Sequence, residues 1–144
     1  MERNNTTTST YSLLIQLMMQ SKHQLHAVAE ALGLSAMQAQ TLMMLGEDAM
    51  TMSAIGRSLA CDASNVTGIV DRLDAAGMIN RQLNQSDRRV KLVDLSDRGS
   101  ETRGKIISGI VEAEIARIGP ALTNEEVETL NGLLQKLIDR SAER

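Results

Sequence analysis

Aromatic residues are almost absent from this 144-residue chain, which has Tyr11 as its one tyrosine and neither Phe nor Trp. Stacking platforms of the kind that hold single-stranded nucleic acid, or that form RNA-recognition sheets, have no side chains to use. Cysteine is equally scarce: Cys61 stands alone, which excludes an internal disulfide and a multi-cysteine zinc site. Apolar runs such as Leu42 to Leu45 fall far short of the roughly 20 residues that span a bilayer. The opening Met1-Glu2-Arg3-Asn4-Asn5 lacks a signal peptide's apolar stretch, so the expectation is a soluble, cytoplasmic protein with no membrane partner. Motifs for catalysis are missing too. There is no nucleophile and base pairing, no paired acids, no metal-ligand spacing and no phosphate-cradling glycine loop, so no enzyme activity, catalytic residue, metal or cofactor is assigned.

What is present suits one compact domain: 42% of residues are hydrophobic, enough to bury a core at this length. Residues 1–10 are nearly all polar and are expected as a disordered tail, leaving 11–144 as the domain. Leu14, Leu17, Met18, Leu25, Val28 and Leu32 recur at helical steps until Gly33, giving a first helix over about 11–32. Ser35 with Gln38 has the form of a capping box for a short second helix that ends by Gly46. Thr51 is placed to cap a third helix carrying Ile55 and Leu59, and Asp62 a fourth in which Val66, Ile69, Val70 and Leu73 share one face before Gly77. The period then changes. Met78 to Leu83 and Val90 to Leu95 flank a polar loop and predict a β-hairpin. Beyond the cap Ser96, a long stripe from Ile106 to Ile118 ends at Gly119-Pro120, and Thr123 with Glu126 caps a last helix carrying Val127, Leu130, Leu134 and Leu137.

The fold class is therefore mainly α with a small β-hairpin. Two short helices joined by a tight turn and followed by a hairpin make a winged helix-turn-helix over about 34–96, whose second short helix can enter a DNA major groove. With Val66, Ile69, Val70 and Leu73 inward, Ser64, Asn65, Thr67, Gly68, Asp71 and Arg72 fall on the outer face and sides, where hydroxyls and an amide suit phosphates and base edges. An acidic protein that binds a polyanion must concentrate its cations. Between Arg81 and Lys91 stand Arg81, Arg88, Arg89 and Lys91 against Asp87 alone, a net +3 in a chain of net -3, whereas residues 106–144 carry a net -3. Double-stranded DNA is expected to meet the middle of the chain.

These residues resemble the MarR family, the multiple-antibiotic-resistance regulators, over about 11–143. The resemblance rests on Leu34-Ser35, on Ala63 to Leu73 with Gly77 behind it, and on Asp87-Arg88-Arg89 followed by Leu95-Ser96-Asp97-Arg98-Gly99. In that family an aspartate, any residue, then an arginine mark the wing, and Leu-Thr-x-x-Gly opens the next helix; Ser96 keeps the hydroxyl here. The resemblance implies that Arg89 reaches a minor groove, that Asp87 helps hold the wing, and that Arg88 contacts phosphate. Many members carry an arginine where this chain has Gly68. Glycine inside a helix costs about 1 kcal/mol relative to alanine, and close approach of the backbone to DNA would offset that cost.

A single reading helix covers few base pairs, so a homodimer on a palindromic operator is expected. Leu13, Leu14 and Leu17 at one end and Ile110, Val111, Ile115, Val127, Leu130, Leu134 and Leu137 at the other make 11–32 and 97–143 the dimerisation helices, as in MarR relatives. Such relatives often release DNA on binding a small molecule, which makes a ligand-responsive repressor the expected role. His23, His26, Met43 and Met44 are the candidate effector-pocket residues. Cys61, at the turn into the reading helix, is a candidate redox site, although no Lys, Arg or His adjoins it in sequence. The alternative function is a winged-helix protein-interaction module without specific DNA binding.

Overall fold

The computed structural model describes residues 2–46, 48–84, 87 and 89–142. Among these residues six helices and three short strands follow one another as α1 (Glu2–Ala31), α2 (Ala36–Met44), β1 (Met50–Thr51), α3 (Met52–Leu59), α4 (Ala63–Ala75), β2 (Ile79–Leu83), β3 (Lys91–Leu95), α5 (Asp97–Ile118) and α6 (Asn124–Ala142). Met1–Ile110 and Val111–Arg144 are two compact units.

Local chemistry sets the helix boundaries where the sequence places them. Gln38 N–H donates to Ser35 Oγ at 3.2 Å and Ser35 N–H donates back to Gln38 Oε1 at 2.8 Å, a complete capping box. Thr51 Oγ1 accepts from Ala54 N–H at 3.1 Å at the start of α3. Glu126 N–H donates to Thr123 Oγ1 and Thr123 N–H to Glu126 Oε2, closing the second box ahead of α6. The Thr123 N–H holds the Glu126 carboxyl below its usual range, with the Thr123 hydroxyl adding to the effect. Gly33 and Gly77 close α1 and α4 with positive φ of 71° and 67°, a conformation that costs glycine nothing.

Two elements differ from the sequence reading. The polar stretch 1–10, expected as a disordered tail, is helical from Glu2 onward. Once a helix is nucleated, each added residue gains a hydrogen bond for one fixed residue, so α1 extends without tertiary packing. The hairpin also has a third member: β1 pairs antiparallel with β3, Met50 opposite Val93 and Thr51 opposite Leu92, in a sheet of order β1-β3-β2. Two residues show no period, which is why β1 was not foreseen.

The core of the first unit lies between the helix-turn-helix and the sheet. Leu42 of α2, Leu45 just after it, Ile55 of α3, Val66, Val70 and Leu73 of α4, Val93 of β3 and Ile106 of α5 are all fully buried. Each such aliphatic side chain contributes about 1.5–3 kcal/mol by leaving water, and together they fix α4 against the sheet. Thr41 is buried with them, its hydroxyl donating to the Met37 carbonyl at 2.7 Å. The turn between α3 and α4 is tight. Ala60 takes the left-handed conformation at φ 51° and ψ 41°, and Cys61 N–H bonds the Gly56 carbonyl at 3.1 Å.

Candidate DNA interface

Helix α4 divides as its spacing predicts. Val66, Ile69, Val70 and Leu73 are buried, whereas Ser64, Asn65, Thr67 and Arg72 are exposed and Gly68 is half-buried. Its first turn is organised by the cap, Asp62. One carboxylate oxygen accepts from Asn65 N–H at 2.9 Å and from Ser64 Oγ at 2.7 Å, and the other accepts from Asn65 Nδ2 at 3.0 Å. The Asn65 amide, then the Ser64 hydroxyl, hold the Asp62 carboxyl below its ordinary range. Thr67 Oγ1 donates to the Ala63 carbonyl at 2.8 Å. The Ser64 and Thr67 hydroxyl protons are thus engaged by the cap and by the helix's own backbone, leaving acceptor lone pairs for the donor groups of an incoming partner. Arg72 has no ion-pair partner among the described residues. Around Gly68 the surface is open: a β-carbon there would meet nothing within 4 Å.

The wing is built by β2 and β3, paired from Ile79 opposite Leu95 to Leu83 opposite Lys91. Asn84 N–H donates to the Val90 carbonyl at 2.9 Å and extends the ladder towards the tip. There the Asp87 carboxylate accepts from Arg89 N–H at 3.0 Å, and Val90 N–H bonds the Asp87 carbonyl at 2.9 Å. Asp87 thereby folds the returning strand on itself, an Asx turn that leaves the Arg89 side chain outside. Asp87, Arg89 and Lys91 are exposed; Arg88 lies outside the described residues.

Arg81 entered the sequence reading only as one of the four cations in the hairpin's charge count. Its guanidinium is ion-paired with Asp71 Oδ1, and its Nε lies 2.9 Å from Asp74 Oδ2. Both acids stand on α4, ten and seven residues back in sequence, and nothing in the local spacing announces the pairing.

The remaining candidates do not gather into one place. His23 and His26 are exposed on α1, whereas Met43 and Met44 are half-buried against the core. Two cavities flank α4 instead. One of about 580 Å³ is lined by Ser35, Cys61, Ser64, Asn65, Gly68 and Arg72 among others. The other, of about 820 Å³, is lined by Arg57, Cys61, Thr67, Arg81 and Lys91 among others. Cys61 is half-buried and lines both, and Arg57, Arg81 and Lys91 share the larger one with it although none adjoins it in the chain. Arg57 was missed because it is an ordinary basic residue in the last turn of α3. Among the described residues no three His, Cys, Asp or Glu side chains come together as metal ligands, and no helix is long and apolar enough to cross a membrane.

Residues 32–90 match the family model described as the MarR family. The chain is 33% identical over 82 residues to the uncharacterized HTH-type transcriptional regulator YfiV of Bacillus subtilis, an overlap covering 56% of this chain and 49% of that protein. It thus spans about half the length of the curated relatives it matches. Among solved structures it is similar to apo MarR from E. coli, with a TM-score of 0.80 at 24% identity over 88% of this chain and 93% of that one. It is also similar to a mutant MepR of S. aureus bound to an oligodeoxyribonucleotide, with a TM-score of 0.64 at 24% identity over 90% and 96% of the two chains. The winged helix-turn-helix segment thus matches the MarR family model, and the chain as a whole has the winged-helix fold of the solved MarR structures.

Proposed function

We propose that this chain is a sequence-specific, double-stranded-DNA-binding regulator of transcription that acts as a cytoplasmic homodimer on a palindromic operator. The observation that carries the reading is the two-faced α4: its aliphatic residues are locked in the core, and Ser64, Asn65, Thr67, Gly68 and Arg72 are presented outward. The exposed Arg89 and Lys91 of the wing add cations for the phosphate backbone or a narrow minor groove. The oligodeoxyribonucleotide-bound MepR mutant has the same fold, which supports DNA binding by this architecture.

Exposed apolar side chains support the dimer. Leu13 and Leu17 of α1, Val111 and Ile115 of α5, and Leu130 and Leu137 of α6 are 37–65% exposed in the single chain. Surfaces of that kind mark association sites. Leu14, Ile110, Val127 and Leu134 are half-buried beside them in sequence. Repression, and its relief by a small molecule, are the parts of the reading taken from the family.

The test is the salt dependence of binding to a duplex from the region upstream of the chain's own gene, for the unmodified protein and for Arg89→Ala. Loss of one phosphate contact lowers affinity and flattens the slope of log affinity against log salt by about one. An unchanged slope and affinity would remove Arg89 from the interface. Weak binding of every duplex, abolished by modest salt, would favour a protein-interaction module.

A further inference from the structure

Two carboxylates in the second half of a helix oppose its dipole, because the exposed carbonyls of the C-terminal end repel negative charge. Helix α4 carries Asp71 and Asp74 there, so a local rule is broken where the fold has something to gain from it. The two acids lie one turn apart, on the side facing β2, and one guanidinium answers both. On β2 the pleat puts Ile79 and Arg81 on the same face; Ile79 is buried, and the Arg81 side chain is 26% exposed against 57% and 46% for its partners. Arg57 and Lys91 line the same cavity as Arg81, yet neither is ion-paired with a carboxylate among the described residues. Arg81 is therefore the cation of this group that is spent inside the protein.

We propose that Arg81 is a positioning residue that fixes the wing to the reading helix, so that α4 and the wing tip meet DNA as one rigid unit. The proposal rests on the DNA-binding reading above. The guanidinium hydrogen-bonds Asp71 through Nη2 and lies within ion-pair distance of Asp74 at Nε, a span over two carboxylates that the compact ammonium of a lysine does not reproduce. Because Arg81 sits opposite Val93, in the middle of the β2 and β3 pairing, holding it holds both strands and with them the turn that carries Asp87 and Arg89. Without the clamp the base of the hairpin stays packed in the core through Ile79 and Val93, but its outer half moves and opens more readily, and two sets of contacts that must be made together are made one at a time.

Clamp and phosphate contact predict opposite results. Affinity for the selected duplex is measured across about 50 to 200 mM salt for the unmodified protein, Arg81→Gln, Arg81→Lys and the double variant Asp71→Asn with Asp74→Asn. Circular dichroism confirms that each is folded. The clamp predicts that Arg81→Gln weakens binding by about tenfold, as a coupling change of ordinary size does, with the salt slope unaltered. Arg81→Lys recovers little of that loss. The double variant removes two negative charges beside DNA, which by electrostatics alone tightens binding; the clamp predicts that it binds more weakly. A salt slope lowered by about one in Arg81→Gln, together with tighter binding by the double variant, would overturn the proposal and make Arg81 a phosphate contact. If the unmodified protein binds no duplex, the DNA-binding reading itself fails. Amide hydrogen exchange then decides the clamp: it predicts faster exchange at Arg89 to Leu92 in Arg81→Gln, and unchanged exchange would reject it.

Discussion

The backbone of Gly99 presses against that of Met78 so closely that a β-carbon on Gly99 would overlap the Met78 carbonyl oxygen. The contact is part of a small junction at the start of α5. Ser96 Oγ accepts from Gly99 N–H at 3.0 Å and donates to the Gly77 carbonyl at 2.7 Å, and Ser96 N–H donates to the Met78 carbonyl at 3.1 Å. The Ser-x-x-Gly segment thus caps α5 and fastens it to the turn that leads from α4 into β2. Gly99→Ala is expected to destabilise the protein by about 3 kcal/mol, the upper part of the usual overpacking range, since the obstacle is backbone and cannot swing aside. Gly104→Ala, on the same helix with nothing within 4 Å of its added carbon, is expected to stabilise by up to about 1 kcal/mol. Urea denaturation of the two variants checks both signs.

Gly68 separates stability from binding. Its added β-carbon meets nothing, so Gly68→Ala is expected to stabilise α4 by about 1 kcal/mol through propensity alone. If the helix backbone approaches DNA at this point, the same methyl weakens specific binding. Thermal melting and duplex titration of one variant give both numbers; a more stable protein with undiminished affinity would mean that the glycine faces no DNA.

Acid should loosen the reading helix through Asp62. Its carboxyl titrates below the ordinary range because Asn65 N–H and the Ser64 hydroxyl donate to the charged form. A carboxyl with a lower value folded than unfolded contributes fully above the unfolded value, and the contribution disappears as pH falls through the folded one. The unmodified protein is therefore expected to lose more stability between about pH 5 and pH 2 than Asp62→Asn, which has no carboxylate to protonate. Parallel stability curves for the two proteins would show that the cap contributes nothing to acid sensitivity.

The dimer is testable without DNA. Ile115 is 65% exposed and Leu137 53% exposed in the single chain, so glutamate at either position leaves the monomer's own packing nearly untouched. Ile115→Glu and Leu137→Glu are expected to keep the helical circular dichroism and to sediment as monomers at concentrations where the unmodified chain is dimeric. Unmodified protein that sediments as a monomer throughout would remove the dimer from the account.

What the sequence disclosed was local, and what it concealed was long-range. Ser35 with Gln38, Thr51, Asp62, and Thr123 with Glu126 announce helix starts because their partners lie within four residues, and each hydrogen bond is present. The buried face of α4 was legible for the same reason, since 3.6-residue periodicity is a property of one segment. Arg81 was counted towards the hairpin's net charge, but its partners lie on another element, and charge counted along a chain carries no information about such pairing. The pairing of β1 with β3 joins residues more than forty positions apart through two residues that carry no pattern. Gly99 was visible as part of a family-like segment, but its reason, the Met78 carbonyl, required the fold. His23 and His26 were chosen for their one-turn spacing on α1, and that spacing says nothing about whether a cavity lies in front of them.

The most direct test of the account is selection by the unmodified protein from a pool of genomic duplex fragments, repeated across about 50 to 200 mM salt, where phosphate contacts change affinity steeply. The account predicts enrichment of fragments sharing a palindrome whose half-sites lie about one helical turn, roughly 10 base pairs, or a multiple of it apart, with affinity falling linearly on logarithmic axes as salt rises. Recovery of no sequence above the starting pool, with all binding lost at modest salt, would contradict it.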